Sequence, residues 1–302
     1  MDILKGLVYI LLIIVVSTLV YIGWSIAPIG EKIEFKKYSA EISPQIEKTS
    51  QFYPNLRFRD RIITYWISSS CSEEKVENTE KAFEIIENLT ILNFDSGNDD
   101  PEVLILCSDL SPTAEEENHF IAGEGGPSKI INASKYNVIF SSRVSLYKGD
   151  NCENPNVALH EIFHALGFDH NTNPLSIMYN VSNCNQKIDQ SLINEINSLY
   201  SVDSLPDLVI TEVVASKEAV YLNLNLTLMN IGLKDSVKSN LTLYWNEEKI
   251  REINITDVGI GIRKTLKLEN LRVPRGLDSL RIRVETAEKE ISDKNNEALI
   301  RI

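Results

Sequence analysis

The stretch from His160 to His170 constrains the fold of this chain more than any other part, and it reads His-Glu-Ile-Phe-His-Ala-Leu-Gly-Phe-Asp-His. Two histidines four residues apart on a helix project from one face about one turn apart, so His160 and His164 can bind the same metal ion. Gly167 can adopt the left-handed conformation that ends a helix, which turns the chain and returns His170 toward that ion. The stretch therefore predicts a helix, a sharp bend and a three-histidine metal site.

The donor set of this site favours zinc. Three imidazoles and one open position are typical of catalytic zinc, whereas structural zinc is usually closed by four protein ligands with thiolates among them. Glu161 lies beside the histidine face, where its carboxylate can reach a water on the metal and act as a general base. A lone pair of histidines on a helix is often an ordinary surface or core feature, but the added Glu, Gly and third His argue against coincidence. We predict His160, His164 and His170 as zinc ligands and Glu161 as the catalytic residue.

A second motif follows at Ser176-Ile177-Met178-Tyr179. With it, the chain resembles the metzincin zinc metalloproteases, which carry a methionine turn beyond the third ligand. The spacing from His170 to Met178 and the Met-Tyr pair are most similar to the matrixin branch. Two positions depart from it: Asn171, where matrixins usually have Ser or Thr, and Asn180, where they usually have Pro. The resemblance implies one catalytic Zn²⁺, Met178 as the apolar floor beneath it, and a peptide or protein substrate.

The resemblance also implies an α+β metzincin-like catalytic domain, with a twisted mixed sheet and about three helices, which we place at residues 57–202. The residue pattern agrees with this interpretation, because short β-branched and apolar runs, typical of strands, are separated along the chain by stretches with helical periodicity. The predicted elements, in chain order, are a strand at Arg61–Ser68, a helix capped by Ser72, strands at Val103–Leu106, Lys129–Asn132 and Asn137–Leu146, the zinc helix, and a last helix capped by Asp189 that ends near Tyr200.

Residues 108–128 are predicted to be a loop. A calcium ion held by their acidic residues and glycines is an alternative, although this stretch lacks the regular spacing of oxygen ligands of an EF-hand loop. We interpret His119 as a surface residue. In metzincins an edge strand above the zinc helix pairs with the extended substrate, which is recognition by strand addition. The resemblance therefore implies that part of Phe120–Asn132 lines the cleft.

The pattern changes after Asp207. Short alternating runs are separated by polar turns and lack a helical period, which predicts an all-β immunoglobulin-like sandwich at residues 206–302. The opening Pro-Asp-Leu-Val-Ile, the Asn230-Ile231-Gly232 turn, the Leu-Tyr-Trp-Asn run from Leu243 and the ending at Ile291–Asn296 resemble CARDB-type modules of prokaryotic surface proteins. The resemblance implies no catalytic residue in this domain. It implies a spacing or adhesion role, in which the domain could bind a partner at the cell surface.

The N-terminus holds an almost unbroken apolar run from Leu7 to Ile22. About twenty such residues span a bilayer as a helix. We therefore predict a transmembrane signal anchor at residues 1–29, with a cleaved signal peptide as the alternative. Residues 30–56 are polar and contain Pro44 and Pro54, which favours a juxtamembrane linker, with a pro-segment as the competing interpretation.

Four cysteines bear on the cellular compartment. Cys152 precedes the zinc helix and Cys184 follows the methionine turn, so a bond between them would hold both ends of the site. Cys71 and Cys107 each follow a strand-like run, and adjacent parallel strands would bring them together. Four cysteines allow three pairings, and reduced buried cysteines are the alternative. We favour two disulfide bonds and hence an extracytoplasmic location.

Length and charge limit the functions that remain. A chain of 302 residues is long enough for two domains, and its net charge of −13 argues against nucleic-acid binding, which needs a basic face. We predict a single-pass, membrane-anchored, extracytoplasmic zinc endopeptidase, secreted instead if the N-terminal segment is cleaved. The alternatives are a membrane-tethered adhesion or binding protein with an inactive metalloprotease domain, and zinc-dependent hydrolysis of a non-peptide bond.

Overall fold

The computed structural model describes residues 2–26, 32–34, 38–40, 50–97, 99–113, 121–149 and 152–301. His119 and the acidic run at 115–117 lie outside these residues. Within them the helices are α1 Asp2–Ile26, α2 Glu73–Leu89, α3 Asn156–Ala165 and α4 Gln190–Leu199. The strands are β1 Lys32–Glu34, β2 Tyr38–Ser39, β3 Leu56–Phe58, β4 Ile62–Ile67, β5 Asn93–Ser96, β6 Val103–Cys107, β7 Gly123–Asn132, β8 Asn137–Leu146, β9 Leu208–Glu218, β10 Tyr221–Asn230, β11 Ser239–Trp245, β12 Glu248–Ile255, β13 Arg263–Arg272, β14 Ser279–Thr286 and β15 Glu297–Arg301.

Helix α1 is long and apolar. Its stretch from Lys5 to Gly23 is long and apolar enough to cross a membrane, judged by length and composition alone, and the side chains of this stretch are exposed. Exposed apolar side chains in such a number are unfavourable in water, because each buries no surface against the rest of the protein. The helix therefore agrees with an N-terminal segment that is either a membrane anchor or a signal sequence.

A six-stranded sheet forms the first half of the fold. Its order is β3-β8-β6-β4-β5, with parallel pairing throughout, while β7 pairs antiparallel with the other side of β8. The sheet is therefore mixed, as predicted. Helices α2 and α3 contact each other, and their apolar side chains share one buried core with the sheet and α4.

The sequence predicted capping residues for α2 and α4, and of these two only the cap of α2 makes the expected bond. Ser72 caps α2 as predicted, because its side chain accepts a hydrogen bond from the Lys75 backbone N–H at 3.4 Å. Asp189 occupies the N-cap position of α4 but makes no side-chain capping bond there. Its carboxylate instead accepts a hydrogen bond from the Ser176 hydroxyl. Asp189 therefore stands at the predicted N-cap position, but the capping bond expected of it is not made.

Strand β7 corrects the predicted loop at residues 108–128. The strand begins at Gly123, so six residues of that predicted loop are extended and paired with β8. Glycine has a low strand propensity, which made this stretch look like a loop. Glycine is nevertheless used in this strand, because the backbone of β7 passes very close to α3.

Both predicted disulfide pairings are confirmed. Cys71 bonds to Cys107 and Cys152 bonds to Cys184. In the first pair, Cys71 lies beyond the end of β4 and Cys107 is the last residue of β6, and these two strands are adjacent and parallel. The second pair joins the segment before α3 to the segment after Met178. No free cysteine remains among the described residues.

The second half of the fold consists of two antiparallel sheets that share one core. One sheet has the order β1-β9-β10-β13, with β2 also paired to β9, and the other has the order β12-β11-β14-β15. Leucines from both sheets, such as Leu224 and Leu241, are fully or almost fully buried in the common core. The alternating runs expected after Asp207 lie in these strands, such as Leu208–Val214 in β9 and Leu280–Val284 in β14, whereas β12 and β15 were not predicted.

The segment at residues 30–56, predicted to be a linker, contributes to both halves in its described part. Strands β1 and β2 pair antiparallel with β9 of the second half. Gln51 is buried against the first half, where its amide donates to the Leu56 carbonyl at 2.5 Å and accepts from the Leu56 N–H at 3.0 Å. Polar composition alone did not reveal these contacts, because they are made mainly by the backbone and by an amide side chain.

Candidate metal centre

The three predicted histidines meet at one point. The Nε2 atoms of His160 and His164 are 3.0 Å apart, those of His164 and His170 are 3.1 Å apart, and those of His160 and His170 are 3.2 Å apart. His160 and His164 are buried on α3, whereas His170 is exposed. The helix supplies two of these histidines at the predicted spacing, and the following bend supplies the third.

Backbone carbonyls fix which ring nitrogens carry hydrogen. The Nδ1 of His160 lies 2.6 Å from the Ile177 carbonyl oxygen, and the Nδ1 of His164 lies 2.7 Å from the Phe168 carbonyl oxygen. A carbonyl oxygen can only accept, so each Nδ1 carries the hydrogen and each Nε2 directs a lone pair at the other histidines. Lone pairs this close repel one another unless a cation lies between them.

The spacing and protonation of the rings fit zinc. A tetrahedral ion with Zn–N bonds of about 2.0–2.1 Å holds its nitrogen ligands roughly 3.3–3.4 Å apart, close to the spacing seen here. Burial, with the charge of His164 adding to it, lowers the pKa of His160 to about 4, and burial also lowers the pKa of His164. Both rings are therefore neutral at physiological pH, which is the form that binds a metal.

Gly167 makes the bend that returns His170. Its φ of +99° is in the left-handed region, as predicted, and its N–H donates to the His164 carbonyl at 2.9 Å. The bend is also tightly packed, because a Cβ atom on Gly167 would lie 2.7 Å from Cδ2 of Leu56. Both conformation and space therefore require glycine at this position.

The segment around Met178 is joined to the third-histidine loop by a buried hydroxyl. Ser176 is fully buried, and its Oγ donates to the Asp189 carboxylate. The same Oγ accepts from the Met178 N–H at 3.0 Å and from the Asn171 side-chain amide at 2.6 Å. In addition, the Asn171 N–H donates to the Met178 carbonyl at 2.9 Å. Met178 is buried, and Ser176 with Asp189 forms a support that the sequence pattern did not reveal.

Glu161 lies on α3 directly beneath the edge strand β7. It is buried, and this burial together with the nearby Glu124 raises its pKa to about 8. A Cβ atom on Gly123 would lie 2.6 Å from Glu161 Cγ, and one on Gly125 would lie 2.2 Å from the Glu161 carbonyl oxygen. The two glycines therefore allow the strand to pass over the glutamate. Sequence reasoning missed this role, because their spacing of two residues is meaningful only once the stretch is known to be a strand.

Strand β7 is the edge of its sheet. It pairs with β8 only, so among the described residues its other edge has no strand partner. The part of the predicted cleft segment that contacts Glu161 is Gly123–Gly125, whereas Phe120 lies outside the described residues.

Phe52 is a further residue at the site that the sequence did not indicate. Its ring stacks on His164 with 5.7 Å between the ring centroids and an interplanar angle of 23°. Its N–H donates to the Gly167 carbonyl at 3.0 Å, and the Ser50 carbonyl accepts from the Asp169 N–H at 2.8 Å. The segment before β3 therefore supports the bend from outside.

Three histidine nitrogens that could hold a metal ion therefore lie together, with a buried glutamate beside them. In agreement, residues 57–201, just under half of the chain, match the family model described as Matrixin. The match includes the sheet, α2 to α4 and all three histidines. This part of the chain is therefore matrixin-like, which supports a metallopeptidase.

The other comparisons add little about the site. No curated protein matches the chain. A similar solved structure is the solution NMR structure of a domain from Methanosarcina acetivorans that is described as part of a cell surface protein. It is 19% identical, the match covers 32% of this chain and 90% of that chain, and the TM-score of 0.28 is too low to show a shared fold.

Proposed function

We propose that the chain is a zinc-dependent endopeptidase with His160, His164 and His170 as the metal ligands. The observation that carries this proposal is the convergence of three Nε2 atoms within 3.2 Å of one another, two of them on neutral imidazoles whose tautomer is fixed by backbone carbonyls. The matrixin-like match over residues 57–201 supports peptide bonds as the substrate. One catalytic Zn²⁺ is the implied cofactor, and calcium at residues 108–128 has no support in the described residues.

The chemistry is divided between the metal and the chain. When bound, zinc would lower the pKa of a water toward neutrality and polarise the scissile carbonyl. We assign Glu161 the proton transfers of the reaction, from the attacking water to the departing amine, because its carboxylate lies beside the histidines. The raised pKa of its carboxyl favours the protonated form, which is the form that donates to the amine. The free edge of β7 binds the extended substrate by strand addition. Met178 provides the apolar floor of the site.

We further propose how the chain is arranged at the membrane. Helix α1 serves as a single-pass anchor at residues 1–29, or as a signal peptide whose cleavage would yield a secreted protein. The two disulfide bonds support an extracytoplasmic location. The catalytic domain then comprises residues 57–202. Residues 206–302 form a CARDB-like immunoglobulin-like sandwich, which could also bind a partner at the cell surface.

The test combines metal analysis with cleavage of a peptide library by the full chain in detergent, with and without a chelator. We expect about one zinc ion per chain, and chelation should abolish cleavage. Glu161→Gln should keep the zinc and lose roughly a hundred- to ten-thousand-fold in rate, because it removes a positioned proton-transfer group. Undiminished cleavage by this variant, or a chain that takes up no zinc, would overturn the proposal. Zinc uptake without any cleavage would favour an adhesion protein with an inactive domain.

A further inference from the structure

A small apolar cluster joins the β-sandwich to the first half of the fold, which carries the three histidines and is called the metal-binding half. We call this cluster the junction cluster, and it is separate from the main cores of the two halves. Its buried members are Ala133, Tyr136 and Val138 from the β7–β8 hairpin, and Leu233 and Ile260 from two sandwich loops. A flexible spacer would leave both surfaces to water, whereas here they bury one another.

Close backbone contact and charge reinforce the junction cluster. Gly261 has a φ of +71°, and a Cβ atom on it would lie 2.8 Å from Ile131 Cγ2 and 2.9 Å from the Asn132 carbonyl oxygen. The ammonium group of Lys135, at the hairpin turn, lies 3.6 Å from the carboxylate of Asp207, which is fully buried. The tip of the hairpin is therefore held by shape and by charge.

Strand β8 connects the junction cluster to the metal centre, because its two faces pack against different parts of the protein. Successive side chains of a strand point to opposite faces. Val138 belongs to the junction cluster, whereas its neighbour Ile139 belongs to the core of the metal-binding half. There the Ile139 Cδ1 atom lies 3.5 Å from the position of a Cβ on Gly167. The sandwich therefore covers the outer face of the strand whose inner face supports the bend before His170.

Strand β7 makes a second, longer connection. The end of β7 near Ile131 contacts the sandwich, and its beginning near Gly125 lies on Glu161. Six residues of strand separate these two points, which is roughly 20 Å. A strand that is clamped at one end and sits on the glutamate at the other has little freedom to lift away from it.

We propose that the β-sandwich positions the metal centre, rather than serving only as a spacer or an adhesion module. By fixing β8 and the tip of the β7–β8 hairpin, it holds the Gly167 bend and the strand above Glu161 in place. The inference rests on the proposed function for its catalytic consequence, but not for its mechanical one. Residues of the junction cluster are accordingly positioning residues that act through β7 and β8.

The test compares two truncations of buried isoleucines in the full chain. Ile260→Ala removes a side chain from the junction cluster, and Ile282→Ala removes one from the sandwich core. Amide hydrogen exchange is measured at residues 131–139 and 166–170. We expect Ile260→Ala to speed exchange there by at least about tenfold, because a cavity at the junction lowers the cost of local opening. Ile282→Ala should leave this exchange unchanged while still weakening the sandwich.

Peptide cleavage by the same variants provides the second readout. Ile260→Ala should lower kcat by about tenfold with a smaller change in KM, because a misplaced bend and glutamate affect the transition state more than substrate binding. Lys135→Met is a milder variant that should act in the same direction if Ile260→Ala does not fold. Equal exchange at the hairpin in the two isoleucine variants would overturn the inference. A wild-type chain without cleavage would instead contradict the proposed function, and the exchange comparison would still decide this one.

Discussion

The backbone of Gly125 lies so close to Glu161 that a Cβ atom on the glycine would be 2.2 Å from the glutamate's carbonyl oxygen. Real side chains do not approach backbone atoms to this distance, so strand β7 and helix α3 can have this separation only with glycine at position 125. Gly123, two residues earlier on the same face of the strand, makes the matching approach to the Glu161 side chain. The edge strand and the proposed base are therefore positioned by each other.

Alanine at position 123 should impair catalysis without removing the metal. Its Cβ would lie 2.6 Å from Glu161 Cγ, so the carboxylate must move. A misplacement of about 1 Å can cost roughly a hundredfold in rate, and we expect a fall of that order in kcat with zinc content unchanged. Gly126→Ala is the matched control, because nothing lies within 4 Å of its added Cβ. Equal kcat values for the two variants would show that the Gly123 contact has no role.

Alanine at position 167 should weaken metal binding itself. The added methyl group would contact Leu56, and a φ of +99° is unfavourable for alanine. We expect a loss of about 1–3 kcal/mol in the free energy of unfolding, together with weaker zinc binding because His170 follows the bend. Urea unfolding and zinc titration measure the two effects. Gly276→Ala, whose Cβ would lie 4.0 Å from the nearest atom, should change neither. Full zinc affinity in Gly167→Ala would contradict the role given to the bend.

The sequence predicted the convergence of the three histidines because the geometry that brings them together is local. Helical spacing places His160 beside His164, and one glycine determines where the chain turns toward His170. The roles of Gly123 and Asp189 could not be predicted in the same way. Glycine in a strand and a turn residue before a helix both have common local explanations, whereas their actual partners, Glu161 and Ser176, are distant in the sequence.

The prediction that residues 30–56 form a linker missed strands β1 and β2, because their pairing partner β9 is also distant in the sequence. Residues 32–34 and 38–39 are strands only because the edge of β9 is available to pair with them. Edge pairing is made by backbone groups, so it leaves little trace in the side-chain pattern. The disulfide pairs were easier to predict, because parallel strands and the ends of one site bring the cysteines together.

The two disulfide bonds should differ in their effect on the metal centre. Each closes a loop of similar length, with sequence separations of 36 and 32 residues, so removing either should cost about 3–4 kcal/mol in the free energy of unfolding. Only Cys152–Cys184 joins the segments before α3 and after Met178. We therefore expect paired Cys152→Ser and Cys184→Ser substitutions to weaken zinc binding, while paired Cys71→Ser and Cys107→Ser substitutions should leave it unchanged. Equal zinc affinities for the two double variants would rule out a specific role for the former bond.

The buried carboxylate of Asp207 should make the stability of the chain fall as pH rises. Burial raises the pKa of Asp207 above 3.8, although its hydrogen bond with Asn295 and the charge of Lys135 oppose this shift. A raised pKa means that the folded state binds the proton more tightly than the unfolded state. The resulting stabilisation is complete below pH 3.8 and is lost as the pH rises through the folded-state pKa.

Comparison with Asp207→Asn isolates this effect, because asparagine does not titrate. The free energy of unfolding of the wild type, minus that of the variant, should decrease between pH 4 and pH 7 in urea titrations. The neighbouring Glu290, whose pKa burial also raises, should give the same sign with Glu290→Gln. Glu269→Gln is the control of opposite sign, because a hydrogen bond with Lys267 lowers the pKa of Glu269 and its contribution is lost as the pH falls. A difference for Asp207 that increases with pH would mean that Lys135, 3.6 Å away, outweighs the cost of burial.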